Sequence, residues 1–173
     1  MTIEPKKTAV LKKKAPKKEE PVDFLSRYVK PHDKVSRDVI EADIERVIED
    51  AHVLFNLCYT QAGIYPGGFA VAHSQIDDKD PLRFFVTADK RIFINPVITC
   101  HTKVTVPHEE GCLTYFNERP KTVERWNKCE VEYQTLNFDA KITDPVKESL
   151  SGKAARIFQH EIDHMDGKYI YGI

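Results

Sequence analysis

With 173 residues and a formal net charge of −1, the chain is long enough for one domain with a real core. It offers no global electrostatic argument for DNA or a membrane surface, and no apolar run approaches the roughly 18 residues that suggest a spanning helix. Cys58, Cys100, Cys112 and Cys129 form no C-x-x-C pair and no disulfide framework. With no secretory signal legible, a reducing, cytoplasmic setting is expected.

In residues 1–20 seven lysines against three glutamates leave a local charge of +4. Residues 1–22 are read as a flexible, solvated tail and residues 23–173 as one domain. The functional alternative for the tail is a weak, transient contact with RNA at a ribosome. A mitochondrial presequence is disfavoured, because arginine is absent there and glutamate present. Pro31 interrupts any long element in 23–37. From Asp38 to Thr60, Ile40, Ile44, Val47, Ile48, Ala51, Leu54, Phe55 and Cys58 recur at helical spacing. Gly63 and Pro66-Gly67-Gly68 then punctuate the chain.

Strands are expected at Phe69–Ser74, Leu82–Thr87, Arg91–Ile94, Val97–Val106, Thr122–Trp126 and Cys129–Phe138. A second helix follows, with Ser151 as N-cap, Gly167 just past its end, and Ala154, Ile157, Phe158, Ile162 and Met165 as its buried stripe. Lys168–Ile173 reads as a last strand. The order gives an α+β domain with mixed or antiparallel sheets around the C-terminal helix.

That helix carries Gln159-His160-Glu161-Ile162-Asp163-His164. Residues i and i+4 share a helix face, so His160 and His164 can reach one metal ion. Glu161 and Asp163 point about 80° to either side, at about 100° per residue. Two buried imidazoles beside a carboxylate are costly unless paired or metal-bound. A catalytic metal wants a third protein ligand. His73, Cys100, His101, His108, Cys112 and Cys129 are candidates. Cys112 leads, because its thiolate is a strong ligand and Gly111 lets the backbone approach closely. His108 is its main rival, and a small core residue is the structural alternative for Cys112.

Three separated stretches resemble peptide deformylases. Gly68-Phe69-Ala70-Val71-Ala72-His73-Ser74-Gln75 resembles the first motif of that family, Glu110-Gly111-Cys112-Leu113-Thr114 the second, and Gln159 to His164 the third. Ile94-Asn95-Pro96-Val97-Ile98 also resembles a family strand. The resemblance implies the deformylase fold and Cys112, His160 and His164 as metal ligands. It implies one divalent ion, Fe²⁺ by expectation, with Zn²⁺, Ni²⁺ or Co²⁺ as alternatives. It further implies hydrolysis of the N-formyl group of formyl-methionyl polypeptides, releasing formate. Glu161 is then the base, and the Gln75 amide and the Leu113 N–H hold the developing oxyanion. Substrate contacts are expected from Gly68, Phe69, Ala70, Glu110 and Ile157, with Arg156 and Lys153 giving the pocket a charged rim. Arg125 is the expected partner of Asp163. The partner is a nascent formyl-methionyl polypeptide, met by a monomer.

The chain departs from the family pattern at Ala70, where glycine is preferred, and at His73, where alanine is. It lacks the usual start and a long helix after the metal motif, as a divergent or minimal member would. Two other readings stand beside the deformylase: a catalytically silent, deformylase-like binding protein, and a zinc endopeptidase. The Cys112 stretch argues against the endopeptidase.

Overall fold

The structure, a computed structural model, describes residues 30–62, 69–116 and 118–172. The lysine-rich tail and Gly68 lie outside the described residues.

The first helix, α1, spans Ile44–Ala62 after a single 3₁₀ turn at Glu41–Asp43. It begins later than the apolar spacing predicts. Asp43 turns back to accept the N–H of Ile40 at 2.9 Å and takes a bond from Arg37, which holds the preceding residues in a tight turn. Ile40 is accordingly exposed and Val39 is buried in its place.

The strands are β1 (Ala70–Ala72), β2 (Phe84–Thr87), β3 (Ile92–His101), β4 (Thr105–Glu110), β5 (Lys121–Trp126), β6 (Lys128–Gln134) and β7 (Val146–Ser151). Five form an antiparallel sheet in the order β1-β2-β3-β6-β7, while β4 and β5 form a separate antiparallel pair. The second helix, α2, spans Gly152–Met165.

Side chains of a strand alternate between faces, and the central sheet uses both. Val71, Phe84 and Val86 join Val47, Leu54 and Leu57 in the core beneath α1. Ala72, Phe85, Phe93 and Val131 join Phe158, Ile162 and Met165 in the core beneath α2. Phe158 meets Phe85 edge-on at 5.0 Å and Phe93 at 4.8 Å. These contacts fix the rotation of α2 two residues before its first histidine. Ala154, expected in the buried stripe, is exposed, and Ala155 is buried instead.

Three further expectations are corrected. The strands predicted on either side of Asn95 are one strand, because Asn95 adopts a positive φ of 51°. Its side chain accepts the N–H of Val39 and donates to the Val39 carbonyl and to Gln134, so the irregularity is satisfied rather than terminal. β7 escapes the sequence patterns because only Leu150 along it is buried. Residues 169–171 turn instead of forming a last strand, with the Gly172 N–H bonded to the Tyr169 carbonyl at 3.1 Å.

Gly167 ends α2 as the sequence suggests. It has φ of 70°. The Gly167 N–H bonds to the His164 carbonyl at 3.1 Å and the Lys168 N–H to the Asp163 carbonyl at 2.7 Å, the two bonds of a Schellman end. Ser151 is the N-cap residue, but its hydroxyl makes no capping bond.

Candidate metal centre

α2 presents His160 and His164 one turn apart, and their Nε2 atoms lie 3.1 Å from each other. Cys112, just past the end of β4, brings its Sγ to 3.3 Å from His164 Nε2. All three donor atoms lie within 4.8 Å of one another. The rival ligand His108 is exposed on β4 with its Nδ1 at the Glu109 carbonyl. His73 is 1% exposed and outside the cluster. Its Nδ1 accepts the Leu82 N–H at 2.9 Å, which leaves the Nε2 hydrogen for Asp50 at 3.0 Å. It is a satisfied core histidine.

The residues fit a cation. His160 Nδ1 lies 3.0 Å from Glu110 Oε2, so Nδ1–H donates to the carboxylate and the Nε2 lone pair faces the cluster. Burial pulls the His160 ring down, yet the Cys112 sulfur and Glu110 outweigh it and hold it up at about 10. Burial and the neighbouring His160 charge push His164 well below its ordinary value. An environment that stabilises positive charge among a thiolate and two imidazoles suits a divalent ion, and Cys-His₂ suits several.

Glu110 is itself held hard. Arg125 donates through Nε and Nη2 at 3.1 and 3.0 Å, and Arg156 through Nη1 at 2.6 Å. Burial opposes ionisation, but His160 and Arg125 bring the carboxyl down to about 2. Arg125 also pairs with Asp163, the partner the sequence suggested. One arginine thus joins the acid behind His160 to the acid on the outer side of α2.

Glu161 is buried, with Oε2 unbonded among the described residues. Burial pushes its carboxyl up to about 7, against the pull of His160 and Arg125. Gln75 ends the 3₁₀ turn after β1. Its Oε1 accepts the Ala72 N–H at 2.9 Å, and its amide donates to Thr114 Oγ1 at 2.9 Å and lies 4.0 Å from Cys112 Sγ. Leu113 opens a 3₁₀ turn whose N-cap is Cys112, so its N–H is not consumed within that turn.

A cleft of about 750 Å³ opens onto this cluster, lined by Phe69, Ala70, Gln75, Glu110, Leu113, Lys153, Ile157 and Glu161 among others. Glu110 contributes to the wall, yet its carboxylate oxygens are taken by Arg125, Arg156 and His160. Sequence reasoning missed two groups. Thr114 fixes the Gln75 amide, and nothing in its type marked it beyond its neighbours. Gln159 receives the Trp126 N–H at 2.9 Å and donates to the Trp126 and Ala155 carbonyls, tying β5 to α2. A buried glutamine directly before His160 was the available signal.

Fold and cluster together define a class: an α+β domain whose helix and strand end build a two-histidine, one-cysteine site able to hold a metal ion. A family model described as Polypeptide deformylase matches residues 15–172. Peptide deformylases of Psychrobacter arcticus and Cytophaga hutchinsonii are 34% and 32% identical over 132 and 145 residues. Those matches cover 74% and 83% of this chain and 64% and 72% of the relatives. The chain spans 42% of the length of a third relative, from Pelagibacter ubique. The crystal structure of the Thermotoga maritima peptide deformylase superposes with a TM-score of 0.64 at 30% identity, covering 86% of this chain and 90% of that one. The chain belongs to the polypeptide deformylase family.

Proposed function

We propose that the chain is a metal-dependent amide hydrolase that removes the formyl group from the N-terminal formyl-methionine of new polypeptides. The observation that carries the reading is the meeting of the Cys112, His160 and His164 donor atoms within 4.8 Å, beside the buried Glu161. Family membership supplies the substrate. Cys112, His160 and His164 would hold one divalent ion, Fe²⁺ by expectation, with Zn²⁺, Ni²⁺ and Co²⁺ compatible with the same donors. When bound, the ion supplies Lewis acidity that activates water at neutral pH and polarises a carbonyl.

Glu161 takes a proton from the attacking water and delivers one to the departing amine. A carboxyl held near 7 by burial can do both at neutral pH. A C–O bond forms, the formyl C–N bond breaks, and formate leaves with a free amino terminus. Negative charge on the formyl oxygen needs donors fixed in advance. Gln75 qualifies because Ala72 anchors its oxygen and turns its NH₂ towards Thr114 and Cys112. The Leu113 N–H is the second donor.

Gly68, Phe69 and Ala70 offer backbone to the peptide along β1, which lies at the edge of its sheet. Ile157 meets the methionine side chain, and Glu110 contributes wall and supports His160. The protein acts in the cytoplasm as a monomer, with a transient ribosome contact through its lysine-rich tail.

Formate release from formyl-Met-Ala-Ser by anaerobically purified protein of known metal content tests the reading. Turnover in proportion to metal is expected, and Glu161→Gln should abolish it while keeping the ion. A full metal site without formate would leave a binding protein. Turnover by Glu161→Gln would remove Glu161 as the base.

A further inference from the structure

We propose that Lys153 selects an acidic side chain at the third residue of the formylated peptide, an inference that rests on the deformylase reading of the cleft. The cleft follows one face of α2, where Gly152, Lys153, Arg156, Ile157 and His160 line it. Ile157 stands three residues before His160, and Lys153 four before Ile157. The three mark a line from the reacting end towards the helix N-terminus. Four helical residues advance about 6 Å. An extended peptide advances about 3.3 Å per residue and returns its side chains to one face every second residue, hence every ~6.6 Å. A peptide whose methionine side chain meets Ile157 therefore brings its third side chain to Lys153. The start of β1 lines the same cleft through Phe69 and Ala70, beside the path of an extended chain.

The chemistry at Lys153 suits a carboxylate. Its ammonium stands 3.1 Å from the centre of the Phe69 ring. Lys153 is exposed and has no ion pair among the described residues. The ring restrains the cation without neutralising it, so less side-chain freedom is lost when an anion arrives. Arg156 cannot serve in its place, because Glu110 and the Val123 carbonyl occupy its guanidinium. The exposed acids of the cleft, Glu109 and Glu118, come from β4 and the loop after the Leu113 turn. The second side chain of an extended peptide turns away from α2, towards that acidic side. Acid is thus favoured at the third residue and not at the second.

The test uses metal-loaded full-length protein and three C-terminally amidated peptides: formyl-Met-Ala-Asp, formyl-Met-Ala-Lys and formyl-Met-Asp-Ala. The first should exceed the other two in kcat/KM at low salt by roughly two- to fivefold, the range of an exposed ion pair, mainly through KM. The gap should shrink in high salt, and Lys153→Glu should reverse the order of the first two peptides. The Kd values of the same peptides for the Glu161→Gln protein should show the same ranking. Equal kcat/KM for the three overturns the inference, as does an aspartate preference that survives Lys153→Glu. If no peptide yields formate with the metal site filled, the deformylase reading falls. The inference is then decided by the binding titration, and equal Kd values overturn it.

Discussion

Glu110 Oε2 lies 3.0 Å from His160 Nδ1, and this contact decides which ring nitrogen faces the Cys112 cluster. The carboxylate is kept ionised by two arginines as well as the ring, so it accepts and Nδ1 donates. Outer-shell partners of this kind are worth roughly 10–100-fold in metal affinity. Glu110→Ala should weaken binding by that order in a competition titration with a chromophoric chelator. Glu110→Gln keeps an acceptor and should lose less. Equal affinity in all three proteins would mean that packing against α2 alone orients the ring.

Cys112 supplies the one soft donor of the set. Cys112→Ser replaces a thiolate with a hydroxyl that resists deprotonation and binds divalent ions more weakly. The cobalt-loaded wild type should show a sulfur-to-metal charge-transfer band in the near ultraviolet, and the serine variant should lack it and lose the metal to chelator sooner. A band that persists in the variant would transfer the sulfur ligand to another cysteine. Cys58 is the least suited of these, because burial and Glu161 push its thiol up to about 12.

Much of this site can be read from spacing, and the reason is local. His160 and His164 belong to one helix, so 3.6-residue periodicity places them together without knowledge of the fold. Cys112 comes from a different element, and spacing leaves it level with His108 until the Glu110-Gly111-Cys112-Leu113 pattern enters. Glu110 was legible as a charge, but its bonds to Arg125 and Arg156 depend on how β5 and α2 pack. The fold divides in the same way. β2, whose residues are buried on both faces, announces itself by composition. β7 is polar and lies at the sheet edge, where nothing forces an apolar pattern. Asn95 reads as a break because its positive φ is rescued by side-chain bonds to residues 39 and 134, far away in sequence.

A second ionic cluster, around Arg37, sets the behaviour in acid. Arg37 bonds Asp43 at 2.8 Å and Asp80 at 2.8 Å, and Arg46 bonds Asp80 at 2.7 Å. Bonds from Arg37 and Arg46 bring the Asp80 carboxyl down to about 2, and bonds from Arg37 lower Asp43. A carboxyl whose folded pKa lies below its unfolded value of ~3.9 stabilises the fold fully above that value. The contribution is lost as pH falls through about 2. Asp80 is half exposed, so its share is small, at most about 1 kcal/mol. Asp80→Asn should therefore lower Tm by roughly 1–4 °C at pH 6. Thermal melts of both proteins across pH 6 to 2 should show that gap closing at the acid end. A gap independent of pH would assign the effect to lost hydrogen-bond geometry instead of charge.

Gly167 couples the end of the metal helix to the segment before α1. Its φ is 70°, and an added Cβ would stand 2.5 Å from the Asp33 carbonyl oxygen. Gly172 offers the comparison, with φ of 83° but nothing within 4 Å of the same position. Both alanine variants carry the strain of a left-handed residue, about 1–3 kcal/mol. Only Gly167→Ala must also displace backbone, and that backbone abuts the turn capping His164 through the 3.1 Å bond from the Gly167 N–H. Gly167→Ala should thus depress Tm by about 5–10 °C and weaken metal binding, while Gly172→Ala lowers Tm less and leaves the metal in place. Melting curves with and without added metal separate the two effects. Equal losses in the two variants would show that backbone strain alone matters at Gly167 and that Asp33 yields freely.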